Sequence, residues 1–352
     1  MLTDSYLINP PPHNTLYIII PIYNVAPYLV ECLDSIKSQT FANLKAILID
    51  DCSKDNSAQI AGKYAQNDKR FILIKKPVNE GLGAARNTGL DYIFHTLKPK
   101  NSDYIGFVDS DDVVAVDYFA NLIYCLESHK KHGIMVAKSY NIYHFKHWDY
   151  DKAIFAHRLW KTRGMITRKS GRNEAWRALY RAEFLRNLRF PNVRLHEDKI
   201  FGSVVSALAG KIAFTISARY FYRERMGSLL KEYRYLRDEQ FANFAYMLEH
   251  FAKFDLLKTN AIKIDLVENL GAEWFEKLQN LVRGYDFNES ILRVNPNLRA
   301  ILETNSYDDF QSKIAKAKPL KERVRRYFRI DIRLYKIYIK LFGKVLCDKS
   351  WR

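Results

Sequence analysis

Four short apolar runs, Leu16-Tyr-Ile-Ile-Ile-Pro-Ile-Tyr-Asn24, Leu44 to Ile49, Phe71 to Ile74 and Tyr104 to Val108, each empty into polar residues and are separated by stretches of helical periodicity. Nothing else in the chain limits its fold as tightly. The first intervening helix opens at Pro27 and places Leu29, Cys32, Leu33 and Ile36 on one face, and a later one follows the glycine-rich turn Asn79-Glu-Gly-Leu-Gly-Ala-Ala-Arg-Asn-Thr-Gly89 and runs to about His95. Strands and helices alternating over short connections predict an α/β fold: a Rossmann-like domain with a mostly parallel central sheet, covered on both faces, with its ligand site at the carboxyl ends of the strands. Asn24, Asp50, Asp51, Arg86, Asp109 and Asp111 all fall at or just beyond those ends, so they are expected to meet in one crevice.

The residue types in that crevice suit phosphate and metal chemistry. In Phe107-Val108-Asp109-Ser110-Asp111-Asp112, carboxylates two positions apart on an extended backbone point the same way and can share a hard cation with a diphosphate. The same residues also make an ordinary turn, and Asp50 and Asp51 also serve as helix caps. Gly81-Leu-Gly83 follows the third strand rather than the first, and Arg86 stands where a dinucleotide fingerprint needs its third glycine, which disfavours dehydrogenase chemistry. Farther on, His196-Glu197-Asp198 opens a helix through Leu208. Acids there complement the helix dipole, and a carboxylate in such a place also suits a general base. No nucleophile triad, P-loop or zinc signature is visible; His144 and His147 read as surface or packing residues.

Pro21-Ile-Tyr-Asn24, Ile49-Asp-Asp-Cys-Ser-Lys-Asp-Asn-Ser57, the turn from Asn79 to Gly89 and Asp109-Ser-Asp-Asp112 together resemble family 2 glycosyltransferases, in order and spacing. The resemblance covers residues 16 to 115 and extends over 173 to 228 through Trp176-Arg-Ala-Leu-Tyr180 and His196-Glu-Asp-Lys-Ile-Phe201, which are similar to segments of bacterial transferases for lipooligosaccharide, capsule and other surface polysaccharides. Beyond 230 there is none. It implies a GT-A type fold and an inverting, metal-dependent transfer from a UDP-sugar. The donor nucleotide would lie against Pro21, Tyr23, Asn24, Asp50, Asp51, Arg86, Asp109 and Ser110, with Asp51 on the uracil imide, Asp50 beside it and Tyr23 bordering the ring. Arg86 would contact the nucleotide side and steady the acidic pair. Asp109 would hold the ribose, and Asp111, with Asp112 as the alternative, would bind Mn²⁺ or Mg²⁺. Asp198 would be the base and Glu197 would position acceptor or backbone. Trp176 would floor a sugar or fill core, and His196 would touch phosphate or stay a neutral structural ring. In Tyr220-Phe-Tyr-Arg-Glu-Arg-Met-Gly-Ser228, Arg223, Arg225 and Ser228 would reach the diphosphate, with surface salt bridging as the alternative for the arginines.

The 352 residues favour two domains over one. The expected organisation is a catalytic domain over 14–228, with a donor half at about 14–115 and an acceptor half at about 116–228, then a helical region over 229–320 and a basic amphipathic helix over 321–352. Net charge is +17, and Lys321 to Leu346 alone carries nine Lys or Arg against two acids, the cations and the aromatic and aliphatic side chains falling on different faces. That pattern suits the headgroup boundary of an anionic membrane; the alternative is packing on its own domain or on a second copy in a homodimer. Strong positive charge with 14% aromatic residues also raises a nucleic-acid-binding protein without catalytic activity. That reading ranks lower, because the cations collect at the tail and it leaves the strand-end carboxylates without a purpose; no nucleic-acid partner is expected. Cys32, Cys52, Cys125 and Cys347 are widely spaced, which argues for a reducing compartment. The uncharged run from Ser5 to Val30 holds five prolines and is not expected to span a membrane. The expected location is cytoplasmic, peripherally on the inner face of the cell membrane, with a glycan or lipid-linked acceptor.

Overall fold

The computed structural model describes residues 13–146, 165–167, 174–193, 197–225, 237–254, 272–285, 296–309 and 312. The chain divides into two compact units, Met1–Leu256 and Leu257–Arg352. The first unit begins with β1 (Leu16–Ile22), α1 (Ala26–Lys37), β2 (Leu44–Asp50), α2 (Ser57–Asn67), β3 (Phe71–Lys75), α3 (Leu82–Asp91), continued by a wider turn of π-helix over Tyr92–Leu97, and β4 (Tyr104–Phe107). It goes on with β5 (Val113–Val114), α4 (Tyr118–Ser128), β6 (Val136–Phe145), β7 (Met165–Thr167), β8 (Ala178–Arg181), α5 (Ala182–Leu185), α6 (Glu197–Ala209), β9 (Ile212–Arg223) and α7 (Arg237–Lys253).

Among the described residues these nine strands form one sheet, ordered β3-β2-β1-β4-β8-β6-β9-β5, with β7 also paired to β9. From β3 to β4 every pairing is parallel. Past β4 the sheet is mixed: β8 runs antiparallel to β4 and β6, β9 runs parallel to β6, and β5 and β7 run antiparallel to β9. Every residue of β1 is buried, as expected for a parallel strand with helices on both faces. Leu29, Cys32, Leu33 and Ile36 form the buried face of α1, and Pro27 sits in its first turn, where a missing N–H costs nothing. Each of those aliphatic side chains contributes about 1.5–3 kcal/mol by leaving water.

Strand order reverses at β1, with β2 and β3 on one side and β4 on the other, and that switch point is where an open α/β sheet offers a crevice. Pro21 helps to open it. The β1–β4 ladder ends at Ile19–Phe107 while the β1–β2 ladder runs on to Ile22–Asp50. Ile19 O accepts Val108 N–H and Ile22 O accepts Asp51 N–H, so position 21 faces the side where pairing has already stopped. Proline, lacking a donor, leaves no unsatisfied group there.

In the second half the core is aromatic: the Trp176 ring lies 4.3 Å from that of Tyr220, which in turn meets Tyr118 edge-on at 5.8 Å. Helix α7 packs on α6 within the first unit, and the Tyr246 hydroxyl donates to the Arg189 carbonyl. The first helix of the region read from sequence as a separate helical block therefore belongs with the sheet. In the second unit, α8 (Ala272–Arg283) and α9 (Pro296–Glu303) are joined by Gln279, whose Nε2 donates to the carbonyls of Ile301 at 2.9 Å and Thr304 at 2.5 Å. Among the described residues no helix is long and apolar enough to cross a membrane. The basic segment 321–352 lies outside the described residues.

Candidate active site

The crevice is built from the ends of β1, β2, β3, β4 and β9, with α3 and the start of α6. After β1, Tyr23 is 44% exposed and Asn24 adopts a left-handed backbone with φ 51°, a conformation asparagine tolerates. Asn24 Oδ1 accepts Lys54 N–H at 2.8 Å and Asn24 N–H donates to Ser53 Oγ at 3.2 Å, tying the end of β1 to the loop after β2. In that loop Asp50 is buried and its Oδ1 accepts Ser53 N–H at 3.3 Å. Asp51 is also buried: Oδ1 accepts Lys76 Nζ at 2.6 Å and Glu80 N–H at 3.2 Å, and Oδ2 accepts Gly81 N–H at 2.8 Å. Lys76, one residue past β3, was not singled out from sequence, although its place at a strand end was legible. Gly81 holds φ at +93°, open to glycine at little cost, and so turns its N–H onto Asp51. At Gly83 a Cβ would stand 2.8 Å from the Pro191 carbonyl oxygen, so glycine admits α3 against the segment leading to α6.

Arg86 on α3 is the hinge of the acidic cluster. It is 1% exposed; Nη2 lies 2.7 Å from Asp109 Oδ1 beyond β4, Nη1 lies 2.7 Å from Glu197 Oε1 at the start of α6, and its guanidinium stacks on Phe190. Its partners are thus Asp109 and Glu197 rather than the Asp50–Asp51 pair expected from sequence, where Lys76 takes the cationic place. Burial works against the Arg86 charge, and Asp109, Glu197 and Asp198 together outweigh it and raise its pKa. Breaking such a buried pair by removing one partner is strongly destabilising.

The acids after β4 divide by environment. Asp112 is buried, with Oδ1 accepting Arg223 N–H and Oδ2 accepting the Tyr220 hydroxyl, both at 2.7 Å, while the same hydroxyl accepts Asp109 N–H at 3.2 Å. Burial, then the charges of Asp111 and Asp109, hold the Asp112 carboxyl well above the usual range. It anchors the loop to β9. The Asp111 side chain is 22% exposed and its Oδ2 pairs with Arg225 Nε at 2.6 Å. Ser110, between Asp109 and Asp111, is buried. The two arginines separate as well: Arg223 is buried, donates from Nε to the Asp111 carbonyl at 2.7 Å and pairs with Glu31 of α1, whereas Arg225 reaches the Asp111 carboxylate from the rim. Glu31 escaped the sequence reading, since nothing local marks it, and Tyr220 was given no role there although it opens the segment that carries Arg223 and Arg225.

Trp176 is 8% exposed and packs between Tyr220 and Tyr222, which makes it core. Glu197 and Asp198 open α6, and the half-buried Asp198 lies near enough for its charge to act on Arg86, Tyr180 and Glu197. His196 and Ser228 lie outside the described residues.

Burial pushes the Glu197 carboxyl up to about 7, with Arg86 opposing and Asp198 and Asp109 adding to it. An unfolded glutamate ionises near about 4.3. Between those values the folded protein keeps a proton that the unfolded chain has lost, so this group's contribution to stability declines as pH rises and levels off above about 7. Glu197→Gln cannot ionise. Its stability relative to the unaltered protein should therefore gain on the order of 2 kcal/mol between pH 5 and pH 7, read from thermal unfolding. A difference that stays constant across that range would remove Glu197 from the titrating cluster.

Among the described residues no three His, Cys, Asp or Glu side chains converge as a complete ion cage. The partly exposed carboxylate of Asp111 has the oxygen-donor chemistry that a hard divalent cation would take, whereas Asp109 Oδ1 is bonded to Arg86.

The family model of Glycosyl transferase family 2 matches residues 17–188, the stretch that runs from β1 past β8. Glycosyltransferase GlyA of Streptococcus pneumoniae is 32% identical over 225 residues, 60% of this chain but only 31% of GlyA's own length. An uncharacterized glycosyltransferase of Haemophilus influenzae is 32% identical over 185 residues, 52% of this chain and 68% of that protein. In three dimensions the chain is similar to S. aureus TarS 1–349, solved in complex with UDP-GlcNAc, with a TM-score of 0.63 at 16% identity over 87% of this chain and 92% of that one, a likeness of fold. With its α/β sheet of GT-A type and the matched motifs gathered at the strand ends, the chain belongs to glycosyltransferase family 2.

Proposed function

We propose that this protein is an inverting glycosyltransferase that moves a hexose or N-acetylhexosamine from a UDP-sugar to a hydroxyl of a glycan or lipid-linked acceptor, in surface polysaccharide or lipooligosaccharide synthesis. The observation that carries the reading is the Asp109–Arg86–Glu197 bridge: a carboxylate beyond β4 and the first turn of α6 are held together by one buried guanidinium, with Asp198 beside it. On this reading the donor side and the base share one crevice. The TarS complex holds UDP-GlcNAc, which supports the donor class.

Each side chain then has a task. Asp51 and Lys76 set an acceptor and a donor side by side, the complement of uracil's N–H and C=O, with the exposed Tyr23 bordering the ring. Asp109 takes the ribose. Asp111 would hold Mn²⁺ or Mg²⁺, which when bound neutralises charge on the departing diphosphate. Asp198 accepts the proton of the acceptor hydroxyl as that oxygen attacks the anomeric carbon. Arg86 and Glu197 fix the turn that carries it. One displacement at the anomeric carbon inverts it, and holding both reactants in line supplies much of the rate.

The test is a screen of UDP-sugars with Mn²⁺, reading release of UDP, with donor hydrolysis as the readout before an acceptor is known. If no UDP-sugar is turned over and UDP itself does not bind, the reading fails. For location, the basic segment from Lys321 to Leu346 supports peripheral attachment to the inner face of the cell membrane. Replacing Arg326, Arg329, Arg333 and Lys336 by glutamate should cut binding to anionic liposomes by more than about tenfold, at about 1 kcal/mol for each cation near the surface, and spare hydrolysis of soluble donor. Undiminished sedimentation with liposomes would assign the segment to packing.

A further inference from the structure

Arg225 occupies the one strand-end carboxylate that the donor-site reading assigns to the metal: its Nε lies 2.6 Å from Asp111 Oδ2, and both side chains are partly exposed, at 24% and 22%. The other arginine of the same strand end cannot take part, because Arg223 is buried against Glu31, the Asp111 carbonyl and the rings of Tyr28 and Phe145. Asp112 cannot relieve Asp111 either, since both its oxygens are engaged by Tyr220 and by the Arg223 backbone. A guanidinium and a divalent cation cannot share one carboxylate oxygen, as each needs it at bonding distance and like charges repel.

We infer that Arg225 is a positioning residue that stands in for the cation on Asp111 in the empty site and moves to the donor's diphosphate when metal and nucleotide arrive together. This rests on the donor-site reading above and deepens it. Arg225 lies just past the end of β9 and beside the Tyr28 ring, 5.5 Å from its centroid, so a change of side-chain rotamer redirects its charge while Arg223 and the sheet stay in place. The arrangement couples the two ligands. Alone, the metal must displace a paired arginine and binds weakly; with a diphosphate present, the displaced arginine gains a new anionic partner through charge-assisted hydrogen bonds. It also keeps Asp111 from standing as an uncompensated charge beside Asp109 and Asp112 while the site is empty.

The experiment titrates Mn²⁺ against full-length protein, following the free-ion paramagnetic resonance signal, first without nucleotide and then with UDP. The variants are Arg225→Met and Arg225→Lys. Without nucleotide, Arg225→Met should bind Mn²⁺ about five- to tenfold more tightly than the unaltered protein, the scale of a partly exposed ion pair. With Mn²⁺ saturating, the same variant should bind UDP at least about tenfold more weakly, and Arg225→Lys should recover most of that loss. Unaltered protein that binds UDP in a Mn²⁺-dependent way while Arg225→Met matches it in both titrations overturns this inference alone. Unaltered protein that binds neither Mn²⁺ nor UDP overturns the donor-site reading and this inference with it.

Discussion

Asp198→Asn should bind UDP as tightly as the unaltered protein and transfer sugar about 10²–10⁴-fold more slowly, the contribution typical of a general base. Asparagine keeps the volume and the place of Asp198 in the first turn of α6 but cannot take a proton. The charge of Asp198 also helps to hold Arg86 protonated, yet Asp109 and Glu197 remain bonded to that guanidinium, so the bridge survives the substitution. The comparison is therefore sharp: single-turnover transfer falls while UDP affinity and unfolding temperature stay near their original values. Near-normal turnover would move the base role to another residue, and collapse of UDP binding would mean that Asp198 belongs to the donor side.

Asp111→Asn should lose Mn²⁺-dependent UDP binding and depress transfer by about 10³-fold, since a metal clamp on a leaving diphosphate is worth several kcal/mol. Asp112→Asn should behave differently although it is the next residue. Its carboxylate accepts a backbone N–H and a tyrosine hydroxyl in a buried place, and an amide there offers a donor where two acceptors are needed. The expected result is a loss of about 1–3 kcal/mol of stability, seen as a lower unfolding temperature in the absence of any metal. Mn²⁺ dependence unchanged in Asp111→Asn but abolished in Asp112→Asn would reverse the two roles.

The same pair marks the boundary of what could be read from the chain. Asp109, Asp111 and Asp112 were visible as acids at a strand end, but the extended backbone expected to put Asp109 and Asp111 on one face is not found: β4 stops at Phe107, and Asp112 N–H donates to Asp109 O in a turn. Which acid stays in the crevice depends on Tyr220 and Arg223, more than 100 positions away, whose approach is set by β9 lying alongside β5 and β6. Arg86 was legible as a cation at a strand-to-helix turn, but its bonds to Asp109 and Glu197 required α6 to come up against α3 across Gly83. Trp176 reads as a sugar platform or, more commonly for such a residue, as core, and the Tyr220 ring 4.3 Å away decides for core.

By itself the sequence determined the order of β1 through β4, their helical covers and the polar residues at their carboxyl ends, because burial on both faces and short connections leave their mark within a few residues. Tertiary structure alone decided the mixed pairing beyond β4, the match of Lys76 to Asp51, and the division of labour between Asp111 and Asp112 and between Arg223 and Arg225. Each of those is a choice among chemically equivalent neighbours, and only the distant group that reaches one oxygen first can make it.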